Sequence, residues 1–464
     1  MRDHLRLLIN GREHEVRGRD VFATLANWLR ARGATGTKVV CEEGDCGACT
    51  VLVRRGETFI PINSCIQSMF QLDGASIVTV EGLGMNAVQQ SMMVHHGAQC
   101  GYCTPGFVVA MTGMFETRDR VDETRARAEL VGNLCRCTGY EPIIKAACAV
   151  ESGSMRRMSE LYPQTIDDNQ AVLVEDEGRT FFAPATLNDA LSFKRKFHPC
   201  TIVQGATDVG VWINKRSYSA ATMLSLSKIA ELRELSEDDG SIIAGANVSL
   251  TELEHFTRDR IPELYRILSI FGSAQIKNAG TLAGNIANGS PIGDTLPYLM
   301  VAGAMLELAS VDGTRLVDIN QFYKGYKQFD LAPHEIIVRV RVPIVRETLK
   351  LYKVSRRRDL DISAFTAAIR LSTTDGHINA AAIAYGGVAP TVLRLKNTES
   401  FLAGKPISID TFEAAGRIAR DEIAPISDVR GGRDYRLQLA ENILCKFYYE
   451  IAGDPSTSLG MTGR

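Results

Sequence analysis

Hydrophobic and polar residues alternate with two different periods in the first 83 residues. Periods near two predict strands, and one segment has apolar residues at the helical spacing. Asn10-Gly11 lies between the first two strand-like segments and is the dipeptide typical of a type I′ hairpin turn. The predicted elements are strands over Leu5–Ile9, Glu13–Val16, Thr50–Val53 and Thr58–Pro61 and a helix over Thr24–Arg32. A small sheet with one helix is therefore expected over residues 1–83.

Strand alternation disappears after about residue 84, and residues that favour helices become frequent. The helical pattern occurs in four segments: Asn86–His96, Phe107–Arg118, Thr124–Leu130 and Pro142–Val150. We therefore expect an all-helical domain over residues 84–152. The polar stretch that follows has no sheet period and is interpreted as a linker or exposed helix, with the linker assigned to residues 153–163.

The rest of the chain predicts two further domains and a tail. Residues 164–345 mix strand and helix patterns, and residues 346–453 alternate first and then become helical. In the second of these domains, strands are predicted over Ala364–Leu371 and Ile378–Tyr385 and helices over Ile409–Arg420 and Tyr435–Tyr449. Residues 454–464 are rich in Ser, Thr and Gly and are expected to be disordered. The whole chain is thus expected to be an α+β multidomain protein.

Composition and charge narrow the class of protein. The 464 residues include 45% hydrophobic residues, which is ordinary for a globular protein, and carry a net charge of −2. That charge gives no reason to expect a nucleic-acid or membrane partner. The N-terminus lacks the apolar run of a signal peptide, and no segment has the roughly 18 apolar residues of a membrane span. A cytoplasmic location is therefore expected.

Cysteines are concentrated in the first third of the chain. Nine of the eleven precede residue 150, which in a chain without an export signal favours metal ligands over disulfides. Cys41, Cys46, Cys49 and Cys65 have the C-x4-C-x2-C…C spacing of plant-type 2Fe–2S clusters. Gly44 and Gly47 lie between them and suit a backbone that wraps around a cluster. A zinc site or a disulfide pair is the alternative, but zinc normally takes a second CxxC or a histidine pair.

A second set of four cysteines lies at two junctions of the predicted helical domain. Its members are Cys100, Cys103, Cys135 and Cys137. Each junction offers two thiolates, and an all-helical domain can bring the junctions to one point. A four-cysteine zinc site needs the same thiolates and stays open on cysteine chemistry alone.

The stretches CEEGDCGACTV, QCGYCTPGF and NLCRCTGY together resemble the iron–sulfur module of molybdenum hydroxylases, the xanthine dehydrogenase and aldehyde oxidase family. The resemblance implies a β-grasp, plant-type ferredoxin domain followed by a four-helix 2Fe–2S domain. It also implies that the second cysteine set binds a 2Fe–2S cluster near the molybdenum cofactor, while the first lies nearer a flavin. Gln99 and Cys137 match positions that approach the pterin of that cofactor.

Two later stretches are candidates for binding a large cofactor. Thr201–Gly210 is interpreted as a buried strand that runs into a glycine-bearing turn, where main-chain N–H groups can hold pyrophosphate oxygens. Residues 271–294 contain a long run of small residues, which suggests backbone lying close to a non-protein group. An ordinary turn-rich loop is the alternative for the second stretch.

Both stretches resemble the FAD-binding domain of the same family. The resemblance implies an α/β, PCMH-like FAD domain over residues 164–345 and an α+β flavoprotein C-terminal domain over residues 346–453. Residues 385–390 and 428–436 resemble the latter, and Tyr326 matches a position at the nicotinamide side of the flavin. The implied FAD contacts are Val203, Gly205, Ala206, Thr207, Asp208, Val209, Phe271, Thr281, Gly284, Asn285, Asn288, Asp294, Ile337 and Lys353.

The match is incomplete around the second stretch. Ala279-Gly280 and Ala283-Gly284 stand where bulkier residues or Gly-Gly are frequent, and residues 288–290 depart from a more usual Ala-Ser ending. A solvated lysine on a strand is the alternative interpretation of Lys353.

The resemblance implies an electron-transfer function. Two 2Fe–2S clusters and FAD would carry electrons from a purine, hypoxanthine or xanthine, oxidised at a molybdenum cofactor, to NAD+. No pterin-binding stretch is found, so the cofactor is expected on a separate large subunit, in a heterotetramer of two small and two large subunits. The partner's substrate could instead be an aldehyde or another heteroaromatic compound. The alternatives outside the family are a reductase that feeds an oxygenase and a zinc-bearing assembly protein.

Overall fold

The computed structural model describes residues 1–151, 153 and 155–453. The predicted disordered tail, residues 454–464, lies outside the described residues, as do two positions at the start of the predicted linker region, 152 and 154. Five groups of elements follow one another along the chain.

A five-stranded sheet and one helix form the first unit. The strands are β1 Leu5–Ile9, β2 Arg12–Val16, β3 Thr50–Arg55, β4 Thr58–Asn63 and β5 Ser76–Val78, in the order β2-β1-β5-β3-β4, and the helix is α1 Leu25–Ala31. The hairpin prediction is confirmed, because Asn10 and Gly11 have φ values of 50° and 77°, both positive as a type I′ turn requires. The side chain of Thr24 accepts a hydrogen bond from Asn27 N and so caps α1.

Four helices form the second unit, as predicted. They are α2 Ala87–Val94, α3 Thr104–Met114, α4 Glu123–Leu130 and α5 Glu141–Cys148. α3 is apolar on nearly every side, and its residues are buried because it packs between the other helices and strand β3. A Cβ atom on Gly113 would lie 3.0 Å from Leu52 of that strand, so the helix approaches the sheet closely.

The segment predicted as a linker contains a short helix, α6 Met158–Leu161. Met158 is fully buried, and the carboxylate of Glu116 accepts hydrogen bonds from the backbone N–H groups of Met158 (2.5 Å) and Ser159 (3.2 Å). The N-terminus of α6 is therefore hydrogen-bonded to Glu116, in the segment that follows α3.

The next region contains two sheets and a short ribbon. The first sheet has the order β6-β7-β9-β8, and the second has the order β10-β11-β16-β12-β13. Their strands are β6 Val172–Asp176, β7 Arg179–Ala183, β8 Thr201–Ile202, β9 Thr222–Leu224, β10 Leu235–Asp238, β11 Ser241–Gly245, β12 Met305–Ser310, β13 Gly313–Asp318 and β16 Ile336–Pro343, and the ribbon pairs β14 Tyr323–Gly325 with β15 Gln328–Phe329. The strand expected at Thr201 has only two residues before the chain turns.

Eight helices cover these sheets and connect their strands in the described part of the chain. They are α7 Leu187–Lys196, α8 Val209–Arg216, α9 Leu250–Thr257, α10 Pro262–Phe271, α11 Ala274–Lys277, α12 Leu282–Asn288, α13 Leu296–Ala302 and α14 Ile319–Phe322. The run of small residues between 271 and 294 is therefore largely helical, with short turns between α10, α11 and α12.

A four-stranded antiparallel sheet and three helices form the last unit. The elements are β17 Thr348–Val354, β18 Phe365–Thr374, β19 His377–Gly386, β20 Leu393–Arg394, α15 Lys396–Leu402, α16 Ile409–Asp421 and α17 Arg433–Ala452. α16 packs on α17 so closely that a Cβ atom on Gly416 would lie 2.6 Å from the carbonyl oxygen of Glu441. The predicted strands and helices of this region are confirmed.

None of the helices among the described residues is both long enough and apolar enough to cross a bilayer.

Candidate functional site

The first cysteine set lies on the loop between α1 and β3 and at the end of β4. Gly44 and Gly47 have φ values of 84° and 65°, so this loop uses the positive φ angles that the sequence predicts. Cys49 and Cys65 are buried, and the other two cysteines are partly exposed. Ala26 of α1 packs against these two buried cysteines, which places the sulfurs inside the protein.

Each thiol of this set lies within hydrogen-bonding reach of at least one other. Cys41 is hydrogen-bonded to Cys46 and Cys65, and Cys49 is hydrogen-bonded to Cys65. These hydrogen bonds lower the pKa of Cys41 and Cys49 and raise the pKa of Cys46 and Cys65. The four sulfurs thus form one series of contacts from Cys46 through Cys41 and Cys65 to Cys49.

The second cysteine set is paired across its two loops. Cys103 is bonded to Cys135, and Cys100 is bonded to Cys137. Burial raises the pKa of Cys103 to about 12. Thr138 Oγ1 donates a hydrogen bond to Cys135 Sγ (3.2 Å), and although burial opposes it, this bond contributes to the lowered pKa of Cys135. The two helix junctions therefore converge, as expected from the sequence.

The donors of both sets are thiols only, and such a donor set fits a 2Fe–2S cluster. A 2Fe–2S cluster takes two thiolates on each of two irons, whereas structural zinc takes four donors around one point. Across residues 1–151, 153 and 155–453, no group of three or more His, Cys, Asp or Glu side chains is arranged to hold a single metal ion.

The two cysteine sets are joined by direct hydrogen bonds. Leu134 N, one residue before Cys135, donates to the carbonyl oxygen of Cys46 at 2.9 Å. Asn133 Nδ2 donates to the carbonyl oxygen of Gly47 at 3.0 Å. A Cβ atom on Gly47 would lie only 2.3 Å from the carbonyl oxygen of Gly132, so this contact requires glycine.

The first cysteine set also contacts the predicted flavin loop. Asn214 of α8 donates hydrogen bonds to the carbonyl oxygens of Glu42 and Cys65, each at 2.9 Å. Gln67 Nε2 donates to the carbonyl oxygen of Gly205 at 2.8 Å. The loop predicted to bind FAD therefore lies next to the first cysteine set. The first set in turn lies between this loop and the second set.

The two stretches predicted to bind FAD meet each other. A Cβ atom on Gly205 would lie 2.0 Å from the carbonyl oxygen of Ala279, and Gly280 lies beside the hydroxyl of Thr207. Ala206 has a φ of 53°, which turns the chain sharply before α8. Burial raises the pKa of Asp208. Glycine at 205 thus permits a backbone-to-backbone approach at the point where the sequence predicts pyrophosphate.

Several predicted FAD contacts already have partners within the protein. Thr281 Oγ1 accepts from Gly284 N (3.0 Å) and caps α12. Asn285 Oδ1 accepts from the hydroxyl of Thr295 (2.6 Å). Asn288 Oδ1 accepts from Lys327 Nζ (2.7 Å), and the same ammonium contacts the carbonyl oxygen of Asn288.

The remaining predicted contacts differ in exposure. Val203 and Ile337 have buried side chains, Val209 is partly buried, and Phe271 is partly buried at the end of α10. Tyr326 is 61% exposed at the turn of the β14–β15 ribbon.

Lys353 is not a solvated strand lysine; that alternative is wrong. Its side chain is 2% exposed, and its Nζ donates to Asp294 Oδ2 (2.5 Å) and to Ser363 Oγ (2.9 Å). Ser363 in turn donates to Asp294 Oδ1 at 2.6 Å. Burial raises the pKa of Asp294, although Lys353 opposes this. Removing one member of such a pair typically costs about 3–5 kcal/mol.

Sequence reasoning missed four residues at these contacts: Gln67, Asn214, Lys327 and Ser363. Each forms its bonds across a long sequence separation, and no spacing motif marks them. Only Lys327 had a signal, because it follows Tyr326 at a turn. Lys327 has a φ of 56° at this turn, and its ammonium group contacts Asn288 at the end of α12.

Four protein families match successive parts of the chain. They are described as a 2Fe-2S iron-sulfur cluster binding domain (residues 7–73), a [2Fe-2S] binding domain (79–148), an FAD binding domain in molybdopterin dehydrogenase (176–345) and a CO dehydrogenase flavoprotein C-terminal domain (350–451). The predicted fold class is confirmed. The chain thus matches two 2Fe–2S-binding domains and one FAD-binding domain, which is the domain content of an iron–sulfur flavoprotein.

Curated relatives match the whole sequence. It is 29% identical to "Xanthine dehydrogenase" of Emericella nidulans, over 97% of this chain and 39% of that protein. It is 30% identical to "Aldehyde oxidase 1" of Bos taurus, over 96% of this chain and 39% of that protein. The chain therefore spans about two fifths of the length of these relatives. Taken together, the four domain matches correspond to the iron–sulfur and FAD part of the molybdenum hydroxylase family.

Solved structures resemble part of the chain. Quinoline 2-oxidoreductase from Pseudomonas putida 86 has a TM-score of 0.55 and 28% identity, covering 58% of this chain and 95% of its own. CO dehydrogenase from Oligotropha carboxidovorans has a TM-score of 0.54 and 24% identity, covering 57% of this chain and 94% of its own. The second likeness concerns the fold alone.

Proposed function

We propose that this chain is the iron–sulfur and FAD subunit of a xanthine dehydrogenase. In this proposal, electrons from hypoxanthine or xanthine, oxidised at a molybdenum cofactor on a separate large subunit, pass through this chain to NAD+. The similarity to xanthine dehydrogenases over nearly the full chain supports the choice. Two small and two large subunits would form the complex, in the cytoplasm.

One observation carries the proposal: the three candidate cofactor sites follow one another without a gap. The second cysteine set reaches the first through Leu134 N and the carbonyl oxygen of Cys46 (2.9 Å). The first set reaches the helix after the predicted flavin loop through Cys65 O and Asn214 (2.9 Å). Electron transfer needs closely spaced centres, and this order matches a relay from the surface to the flavin.

The cysteines would hold the two clusters, with two thiolates on each iron. Cys41, Cys46, Cys49 and Cys65 would bind the cluster nearer FAD, and Cys100, Cys103, Cys135 and Cys137 the other. Bound clusters supply one-electron transfer, and bound FAD supplies the exchange between single electrons and hydride. The surrounding chain would fix the positions of these cofactors, through close backbone contacts at glycines such as Gly47 and through backbone hydrogen bonds such as that from Leu134 to Cys46.

The FAD site would be formed where the two small-residue stretches meet. Its residues would be Val203, Gly205, Ala206, Thr207, Asp208, Val209, Phe271, Thr281, Gly284, Asn285, Asn288, Asp294, Ile337 and Lys353. Backbone N–H groups of the 205–209 turn would bind the pyrophosphate, since the N-terminus of α8 carries a partial positive charge. The buried Lys353–Asp294 ion pair, with the hydroxyl of Ser363, would fix the positions of its own polar groups in this site.

The surface around the second cysteine set would receive the large subunit. Cys100 and Cys137 are exposed, and Gln99 is exposed beside them. Tyr102 and Leu134 add apolar surface, at 52% and 43% exposure. Exposed apolar residues around a candidate redox centre support a docking face for a protein partner.

Cofactor analysis of the purified chain tests the relay. We expect about four irons, about four sulfides and no stoichiometric zinc per chain, together with one FAD. Stoichiometric zinc with little iron would contradict the cluster assignment and favour the zinc-bearing assembly protein. An Asp208→Ala variant should lose FAD more readily with iron unchanged; equal retention would remove Asp208 from the site.

Turnover by the reconstituted complex tests the substrate. We expect xanthine to drive NAD+ reduction when the large subunit is present, and no reduction without it. The 30% identity to an aldehyde oxidase and the 28% identity to quinoline 2-oxidoreductase favour aldehydes or heteroaromatic compounds as the second candidates. Turnover with those compounds but not with xanthine would replace our choice within the same family.

A further inference from the structure

Three buried polar side chains from different domains meet between the two cysteine sets. Thr50 begins β3, directly after Cys49; Asn133 lies two residues before Cys135; and Gln275 lies in α11 of the FAD-binding domain. Their exposed fractions are 2%, 1% and 1%. Each of the three lies within a stretch that the sequence analysis singled out, but none is among the predicted cofactor contacts, and no sequence spacing indicated that they meet.

Gln275 forms hydrogen bonds to both of the other domains. Its Nε2 donates to Asn133 Oδ1 at 2.8 Å and to Thr50 Oγ1 at 3.3 Å. Among the described residues, its Oε1 is buried and has no hydrogen-bond partner. Burying an amide with an unpaired oxygen is costly, so a purely apolar contact would stabilise this interface better. The bonds made by Nε2 are therefore the feature that distinguishes glutamine from a leucine here.

The two residues that Gln275 holds converge on one carbonyl group. Thr50 Oγ1 donates to the carbonyl oxygen of Gly47 at 2.6 Å, and Asn133 Nδ2 donates to the same oxygen at 3.0 Å. Gly47 lies between Cys46 and Cys49. The residue after Asn133, Leu134, donates to the carbonyl oxygen of Cys46 at 2.9 Å. The Gln275 side chain of the FAD-binding domain thus holds the two residues that bond to the Gly47 carbonyl oxygen, in the loop of the first cysteine set.

We propose that Gln275 is a positioning residue that sets the spacing of the two cluster-binding loops from the FAD-binding domain. By holding Thr50 and Asn133 together, it fixes the Gly47 carbonyl group and keeps Leu134 N bonded to Cys46. Docking of the FAD-binding domain and correct spacing of the two cysteine sets are then one event. This inference rests on the proposed function for its electron-transfer consequence, but the geometry itself is independent of the substrate.

The chain offers a matched control for this role. Asn278 lies just after α11, is 8% exposed, and donates to the carbonyl oxygen of Pro61 at 2.9 Å. It therefore makes the same type of bond from the same segment to the same ferredoxin-like unit. Its side-chain hydrogen bonds in the described structure are with Pro61 and Thr251 and not with a cysteine loop, so an effect seen only at Gln275 reports on loop position rather than on general loosening.

The experiment compares the Gln275→Leu and Asn278→Leu variants with the unaltered full chain. Two readouts are used: the magnetic spin–spin splitting between the two dithionite-reduced clusters, and hydrogen exchange of the Leu134 amide. We expect Gln275→Leu to shift or abolish the splitting and to speed exchange at Leu134, with iron and FAD contents unchanged. Asn278→Leu should leave both readouts as in the unaltered chain.

Three further variants cover the case in which Gln275→Leu does not fold. Gln275→Met keeps an unbranched side chain of similar length without a donor, Thr50→Val removes the Thr50 hydroxyl, and Thr50→Ser retains a hydroxyl. We expect Gln275→Met and Thr50→Val to behave as Gln275→Leu does, and Thr50→Ser to keep the splitting of the unaltered chain.

Several results would overturn the inference. Unchanged splitting and unchanged Leu134 exchange in Gln275→Leu or Gln275→Met would do so, as would equal changes in Asn278→Leu. Absence of two paramagnetic clusters in the unaltered chain would count against the proposed function instead. In that case exchange at Leu134 alone decides the positioning role, so the two failures are distinguishable.

Discussion

The two cysteine sets offer the same chemistry in opposite surroundings. Cys49 and Cys65 of the first set are 1% and 3% exposed, and Ile276 of the FAD-binding domain packs beside them. Cys100 and Cys137 of the second set are exposed. Two thiols of the first set are thus buried among other parts of this chain, whereas two thiols of the second set are exposed, so the first is called the enclosed set and the second the open set.

This difference indicates what each set still lacks. The enclosed set has its neighbours within the chain: the helical unit reaches it through Leu134, and the FAD-binding domain reaches it through Asn214. The open set is joined to the first set through Leu134, and its Cys100 and Cys137 are exposed. Under the proposed function, electrons from the partner subunit would enter this chain at the open set.

Loss of a ligand from the enclosed set should have the largest effect. Cys49→Ser is expected to remove the first cluster and lower the iron content from about four to about two per chain. FAD should stay bound, while its reduction through the second cluster becomes much slower. Iron analysis and rapid-mixing spectroscopy of the flavin check this. A variant that kept its full iron content would show that Cys49 is not a ligand.

Adding one methyl group should distinguish the two loops by stability. Gly47→Ala combines a φ of 65° with a contact of 2.3 Å to a backbone oxygen, and we expect a loss of about 3 kcal/mol or more. Gly101→Ala is the control: it has a φ of 80°, no described atom lies within 4 Å of its Cβ position, and a loss of roughly 1 kcal/mol is expected. Urea unfolding measures both, and equal losses would contradict the difference in packing.

Iron removal should proceed unequally. Because Cys100 and Cys137 are exposed, a chelator under air should release about half of the iron, from the second set, before the rest. Two variants locate the loss: iron left in Cys49→Ser should leave quickly, and iron left in Cys137→Ser should leave slowly. A single phase with equal rates in both variants would mean that enclosure does not protect the first cluster.

Thiol labelling of cluster-free protein should give the smallest effect. Cys100 and Cys137 should react on the order of tenfold or more faster than Cys49 and Cys65, because a buried thiol reacts only after local opening. Exposed Cys148 and buried Cys200 calibrate the fast and slow limits. Peptide mass spectrometry after timed alkylation reads out each site. Labelling of Cys49 as fast as Cys148 would show that the enclosure needs the cluster.

The fold was largely predictable because its signals are local. Asn10-Gly11 specifies the hairpin turn, and the helical periods after residue 84 specify four helices. The cysteine spacings alone were enough to identify both sets. The lysine at 353 was less predictable: the surroundings of a strand lysine depend on residues 59 and 10 positions away, at Asp294 and Ser363.

The sequence by itself predicted thiol ligands, and it determined the domain order and the small-residue stretches where two backbone segments lie close together. It determined these because spacing, glycine content and periodicity are properties of short segments. Only the tertiary structure decided that the thiols of the second set pair across loops, that one set is enclosed and the other open, and that Gln275 joins three domains. Such contacts link residues far apart in the chain, and no local pattern records which distant side chain will fill a given neighbouring position.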